Sequence, residues 1–262
     1  MKDRVRASFD EAAVSELFHE NTKVAPYENG DDPAWLPEPL APGNVLSRFP
    51  LPKVAPRRGA ELEETIHRRQ TLRAFNPWAA LPPTLLSRLL AFSCGYTTPV
   101  AFGGVPHIAF RRAAPSAGAT YPIEVYPVIL HVAGLPAGVY HYAVNDHSLE
   151  LLRPGRFHRA LAAWTLHQPY IADTAAVFVL AGFPERICPR YGERGYRYML
   201  LEAGHIAQNL YLLATSYGLG VLSNGGFVDT AINCLVGLND RTEIALYTVA
   251  VGVLRQRPPG GD

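Results

Sequence analysis

Apolar and polar positions change period several times along the chain, and each change marks an element. Ala175–Gly182 is an unbroken apolar run rich in valine, the pattern of a strand covered on both faces, and Ile244–Leu254 reads the same way. Ile123–Val132 also reads as a strand, and Gly138–Leu152 as a hairpin turning at Asn145-Asp146. Helical spacing appears over Glu61–Arg69, whose acidic start and basic end suit the helix dipole, over Pro83–Phe92 and over Arg156–Trp164. Asp229 is placed to cap a helix running to Val236. The longest helix, Tyr196–Ser216, is apolar nearly all round from Met199 to Ala214, which predicts burial on most sides. Gly204 within it costs roughly 1 kcal/mol against alanine, which predicts close packing on another helix, as at a subunit interface.

Ahead of these elements, Ser8 and Glu11 fit a capping box for an amphipathic helix over 8–19. The prolines from Pro26 to Pro56 then predict an extended arm that wraps a core instead of forming one. The chain accordingly divides into a helix and Pro-rich arm over 1–58 and a main domain over 59–262. Helices and strands alternate unevenly and hairpin-like pairs are present, which indicates α+β.

Composition narrows the classes. With 262 residues, 48% apolar and 18% charged, the chain has material for a sizeable core and is not globally disordered. Lys+Arg of 24 against Asp+Glu of 23 leaves no basic excess, so no nucleic acid is expected as a partner. There is no run of 18 apolar residues for a membrane span, and MKDRVRASFDEAA lacks the apolar core of a signal peptide. A cytoplasmic protein is expected. Three distant cysteines and nine scattered histidines show no metal-ligand spacing.

Four segments carry candidate chemistry. The densest is PRYGERGYRYMLLEAGHIAQN (189–209), where Arg190, Arg194 and Arg197 with Tyr191, Tyr196 and Tyr198 run into the apolar helix. Such a cluster suits an anionic or reacting ligand, although a solvated loop with capping charge has the same composition. Arg68-Arg69-Gln70-Thr71-Leu72-Arg73 passes from a helix end into a loop, and offers guanidiniums and a hydroxyl for a phosphate or a basic helix cap. Pro115-Ser116-Ala117-Gly118-Ala119-Thr120 gives small residues for close approach to a flat ligand, or an ordinary turn before a strand. Ser223-Asn224-Gly225-Gly226-Phe227 presents backbone N–H groups, or a plain glycine turn. GxGxxG after a strand, the P-loop and HExxH are missing, which disfavours the usual dinucleotide and nucleoside-triphosphate sites.

The order of these segments resembles that of the SagB-type dehydrogenases, the azoline oxidases of the nitroreductase superfamily. LFHENTK (17–23) is similar to that family's opening signature, RRQTLRAF (68–75) to its phosphate motif, and RRAAPSAGATYPIEVY (111–126) to its flavin segment. LPAGVYHY with DHSLELL (135–152), the 189–209 block, and GGF with LYTVAVG (246–252) continue the match over about residues 10 to 255. The resemblance implies an α+β fold with a central, mainly antiparallel sheet flanked by helices, an intertwined homodimer, and FMN at the subunit interface. It implies that Arg69, Gln70, Thr71 and Arg73 contact the FMN phosphate and ribityl chain. Pro115, Ser116, Ala117 and Gly118 would line the isoalloxazine, Gly225 and Gly226 would present N–H groups near its N5 and O4, and Arg255 is a further phosphate candidate.

The activity implied is oxidation of thiazolines or oxazolines to thiazoles or oxazoles in an azoline-containing precursor peptide, alone or with a cyclodehydratase complex. The family has a Lys-Tyr pair before the core helix, where this chain has Arg190-Tyr191. A guanidinium does not give up its proton, so Tyr191 is the expected base and Arg190 its electrostatic support. Two other readings stand beside this one: an NAD(P)H oxidoreductase acting on small molecules, and a non-catalytic FMN-holding subunit of a cyclodehydratase complex.

Overall fold

A computed structural model describes residues 14–24, 43–59, 61–101 and 108–255. Its elements are α1 (Val14–Thr22), β1 (Ser47–Pro50), α2 (Leu62–Arg68), α3 (Pro83–Cys94), β2 (Tyr96–Ala101), β3 (Ile108–Arg112), β4 (Ile123–Ile129), β5 (Gly138–Ala143) and β6 (Ser148–Pro154). They continue with α4 (His158–Trp164), β7 (Ala176–Gly182), α5 (Pro184–Tyr191), α6 (Arg194–Ser216), β8 (Leu219–Asn224), α7 (Asp229–Val236) and β9 (Ile244–Val253). Among the described residues, seven strands form one antiparallel sheet in the order β1-β6-β5-β4-β7-β9-β8, while β2 and β3 form a separate hairpin.

Strand β7 shows why the apolar run had to be central. Ala176, Phe178 and Leu180 point into a core shared with α3 and α6, whereas Val177, Val179 and Ala181 point into a second core with α4 and α7. A strand covered on both faces has no polar side to present. The fold is therefore a helix–sheet–helix sandwich of α+β type. Ser47–Pro50 of the proline-rich arm pairs with β6, from Ser47 opposite Leu151 to Pro50 opposite Ser148, so this part of the arm forms the sheet's edge. The capping box at Ser8 and Glu11, and residues 25–42 of the arm, lie outside the described residues.

Two expectations are corrected. Helix α6 is not buried nearly all round: Leu200 and Leu201 are 40% and 54% exposed, and Gly204, His205 and Gln208 are exposed with them. Its buried residues, among them Met199, Glu202, Ile206, Leu210 and Tyr211, form one stripe. A Cβ on Gly204 would meet nothing within 4 Å, so within one chain no helix packs there. The second correction concerns Arg190-Tyr191, expected in a loop before the core helix, which end the helix α5. Pro184 suits a first turn, and Pro189 is accommodated inside this short helix.

Candidate active site

Helix α5 ends at Gly192, whose φ of 55° and ψ of −146° turn the chain sharply into α6. Arg190 and Tyr191 thus stand on the last turn of a helix. The junction is tied from outside by α1. Ser15 donates to Glu193 Oε2 from its amide (2.9 Å) and its hydroxyl (2.5 Å), which holds that carboxyl below its usual range. His19 Nδ1 lies 3.1 Å from the Tyr196 hydroxyl, and Phe18 meets the Tyr196 ring edge-on. The LFHENTK segment thus braces the entrance of α6.

Against this junction lies the Pro115–Tyr121 turn. Arg190 donates to the Gly118 carbonyl at 3.2 Å. A Cβ on Gly118 would lie 2.5 Å from the Tyr191 hydroxyl and 2.8 Å from an Arg190 nitrogen, so glycine is needed for space as well as for its φ of +58°. The Arg190 guanidinium sits over the Tyr191 ring, 5.5 Å from its centroid, and Tyr198 closes on the same ring edge-to-face at 5.1 Å. Ala119 and Tyr121 also have positive φ, 54° and 46°, in a turn with two non-glycine residues in the left-handed region. It is held by Tyr121 N–H donating to Ser116 Oγ (2.9 Å), by Arg112 N–H donating to the Tyr121 hydroxyl (3.1 Å), and by the Arg112 guanidinium over the Tyr121 ring. Below Ser116 stands Glu202 of α6, 3% exposed. Burial pushes its carboxyl up to about 7, against hydrogen bonds from Ser116 and the Ile123 amide and the nearby charge of Arg112.

A second group forms where the segment after α2 runs beside β8 and β9. Leu72 N–H donates to the Val221 carbonyl, and Phe75 bridges Leu254 and fills the space over Gly220 and Gly252. The Tyr211 hydroxyl of α6 joins the segments: it lies 3.1 Å from Thr71 Oγ1 and accepts from Ser223 N–H at 2.9 Å. Tyr247 donates to Ser223 Oγ at 2.6 Å. Arg69 lies over the Tyr211 ring and Arg73 over the Tyr170 ring. Neither guanidinium has a carboxylate partner among the described residues.

The predicted residues thus assemble as two groups. Pro115, Ser116, Ala117 and Gly118 come together with Arg190 and Tyr191. Arg69 and Thr71 come together through Tyr211 with Ser223, two residues before Gly225, whose absent Cβ would meet only the Tyr247 ring, at 3.8 Å, while Arg73 lies over the Tyr170 ring. Gln70 lies exposed between Arg69 and Thr71. Two predicted groups are already committed inside the chain. Gly226 N–H donates to Asn224 Oδ1 at 2.8 Å, and Arg255 pairs with Asp173 at 2.9 Å and donates to the Phe75 carbonyl. Tyr211 and Glu202 were not singled out from the sequence, and Tyr198 only as one member of the arginine–tyrosine cluster. The available signal was a carboxylate four residues after Tyr198, within an apolar stripe. Two unpaired guanidiniums beside a hydroxyl, and a turn without a side chain facing Tyr191, fit a phosphorylated planar cofactor.

The nitroreductase family profile matches residues 66–253. A Methanocaldococcus jannaschii protein designated nitroreductase MJ1384 is 36% identical over 182 residues, 69% of this chain and 86% of its own. The microcin B17-processing protein McbC of Escherichia coli is 31% identical over 152 residues, and the match spans only 54% of each chain. A crystal structure of a nitroreductase-type protein from Ralstonia eutropha JMP134 superposes with a TM-score of 0.68 at 25% identity, over 85% of this chain and 96% of that one. The chain belongs to the nitroreductase family, and its antiparallel sheet flanked by helices is the nitroreductase-like fold.

Proposed function

We propose that this protein is an FMN-dependent azoline dehydrogenase that oxidises thiazolines or oxazolines of a ribosomally made peptide to thiazoles or oxazoles, acting as a homodimer. The observation that carries the reading is the seating of Tyr191 and Arg190 on the bare backbone of Gly118. The relative McbC, named for microcin B17 processing, supports a peptide substrate.

The C4 hydrogen of a peptide azoline lies next to the ring nitrogen and the exocyclic carbonyl, which makes it the acidic one. Tyr191 takes this proton as its phenolate and becomes the phenol. Arg190, which keeps its own proton, holds the Gly118 carbonyl and faces the Tyr191 ring, so it orients the base. FMN, when bound, supplies the acceptor for the hydride that leaves C5. Loss of one proton and one hydride leaves the aromatic azole, two hydrogens lighter. Arg69, Gln70, Thr71 and Arg73 hold the phosphate and ribityl end. Pro115, Ser116, Ala117 and Gly118 form the wall beside the ring system, and Gly225 offers its N–H. Gly226 and Arg255 act mainly by keeping these segments in place.

The test is mass spectrometry on a cyclised peptide, with flavin absorbance followed on the same protein. Wild type removes two hydrogens per azoline, and Tyr191→Phe lowers turnover at least about 100-fold while the bound flavin stays. Full turnover in that variant removes Tyr191 from the chemistry. A second reading, NAD(P)H-dependent reduction of small molecules, is favoured by the likeness to MJ1384 over most of its length. NAD(P)H-driven bleaching of the flavin with an unchanged peptide would establish it. Bound flavin with neither reaction would leave a scaffold subunit.

A further inference from the structure

Helix α5 carries Tyr191 on its last turn, yet little within α5 holds it in place. It is eight residues long, too short to be stable alone, and Ile187 is its one buried residue. Pro189 has no N–H to give to the Glu185 carbonyl, so the helical ladder is broken just ahead of Arg190 and Tyr191. Where Tyr191 stands is therefore decided by what α5 is fastened to. Two arginines one turn apart reach the same neighbour. Arg190 donates to the Gly118 carbonyl at 3.2 Å, and Arg186 donates to the Tyr121 carbonyl at 3.4 Å. Arg186 also pairs with Glu124 of β4 and lies over the Phe183 ring, 4.7 Å from its centroid.

The two anchors differ in strength. Arg190 is exposed and bonds a neutral carbonyl. The Glu124 side chain is only 10% exposed, and its other oxygen lies 3.2 Å from His141 Nε2. His141 Nδ1 lies 2.9 Å from Glu150, which pairs with Arg48 of β1 at 2.6 Å. The acceptor for Arg186 is thus fixed by the sheet, and a bond between two charged groups is roughly twice as strong as one between neutral groups. We infer that Arg186 is a positioning residue for the candidate base: by joining Glu124 to the Tyr121 carbonyl it clamps α5 against the Pro115–Tyr121 turn, and so fixes where Tyr191 stands over Gly118. Positions 186 and 190 lie on one helix face, about 6 Å apart along the axis. Two bonds at that spacing, to carbonyls of one turn, fix both the height of α5 and its rotation, whereas Arg190 alone leaves the rotation free. The inference rests on the proposed function only for the role of Tyr191 in turnover; the clamp itself does not depend on it.

The experiment compares wild type, Arg186→Met, Arg186→Lys, Glu124→Gln and Arg186→Met/Glu124→Gln. Amide hydrogen exchange of α5 is followed in the flavin-free protein, and kcat and KM for azole formation are measured on a cyclised peptide with FMN supplied. Arg186→Met is expected to speed exchange in α5 at least about tenfold while β4 and β7 keep their wild-type protection. Its kcat is expected to fall about 10- to 100-fold with KM unchanged, and Arg186→Lys, which keeps a cation for Glu124, is expected to recover most of both losses. Glu124→Gln is expected to loosen α5 as well, and the double variant to loosen it no further than Arg186→Met, because the same pair is broken. Wild-type exchange or wild-type kcat in Arg186→Met would overturn the inference, as would loosening that spreads through β4 and β7 or additive effects in the double variant. A wild type that binds FMN and leaves the peptide unchanged would count against the proposed function instead, and exchange in α5 would still decide whether the clamp exists.

Discussion

Gly118→Ala separates two costs that the structure superimposes at one position. A methyl there would stand 2.5 Å from the Tyr191 hydroxyl, 2.8 Å from an Arg190 nitrogen and 2.9 Å from its guanidinium carbon, at a φ of +58°. The backbone cost of alanine in the left-handed region is about 1–2 kcal/mol. Arg190 is exposed and swings clear at little cost, so the contact cost falls on Tyr191, half-buried and backed by Tyr198. Restoring an ordinary contact moves its hydroxyl by roughly 1 Å, at a cost of about 1 kcal/mol more for the displaced packing. A shift of that size at a reacting group lowers turnover by about 100-fold. Urea unfolding at constant m-value measures the stability loss, and azole formation measures the rest. Adding Tyr191→Phe removes the nearest clashing atom, so Gly118→Ala/Tyr191→Phe should recover the contact cost and keep the backbone cost. The reasoning is refuted if Gly118→Ala unfolds like wild type, or if its loss is indifferent to the residue at 191.

Tyr211→Phe removes the hydroxyl shared by Thr71 and Ser223; thermal unfolding should show a loss of about 1–2 kcal/mol, with weaker FMN retention, and an unchanged protein would mean that the hydroxyl does not join the segments. His141 sits between Glu124 and Glu150; burial alone would lower its pKa, but the hydrogen bonds to both carboxylates outweigh it and the net shift is upward from 6.5. Its contribution is then complete below about pH 6.5 and is lost as pH rises through the raised value, so His141→Asn should flatten the melting-temperature profile above 6.5 without steepening it below. Gly204→Trp places a large side chain on the open face of α6, where a Cβ meets nothing. Sedimentation should show loss of the dimer together with loss of bound flavin, while an intact yellow dimer would take this face out of the interface.

Elements whose pattern has a single physical solution were legible from the residues. The run Ala176–Gly182 is a strand between two helix layers, and α7 runs to Val236 as expected, although its cap is Val228 and the Asp229 carboxylate accepts from Val24 N–H instead of capping the helix. Elements carried by their context were not. In α5 the prolines at 184 and 189 mimic loop composition, yet Ile187 is fully buried and Gly195 lets α5 approach α6 closely, with Ile187 and Cys188 at the contact. Strand β1 lies in a proline-rich stretch and exists because β6 offers an unpaired edge. In α6 an apolar count does not say which face is covered; the chain's own core takes one stripe and leaves Leu201 outside. Candidate site residues with a motif, such as Ser116 and Gly118, were legible from it as candidates. Glu202 lies inside the 189–209 block without having been singled out there and Tyr211 lies beyond it, and what each touches arises from what the fold lays against it.

The relation of the two groups to α6 bears on the homodimer proposed above. Glu202 lies beneath the turn group and Tyr211 joins the arginine group, and the two are nine residues apart on a helix that advances about 1.5 Å and 100° per residue. They therefore lie roughly 13 Å apart along the axis and on opposite edges of the buried stripe. A ligand touching both groups of one chain would have to pass α6 itself, either through the core, which Met199, Ile206 and Leu210 fill, or over the outer face. That outer face carries Leu201, His205 and Gln208, with Gly204 leaving one position bare. A second copy seated there borders both edges at once, and the turn group of one chain can then share a cleft with the arginine group of the other. In the proposed homodimer the exposed leucines of α6 and the splitting of the candidate site would have one cause: cofactor binding and dimer formation would use the same face.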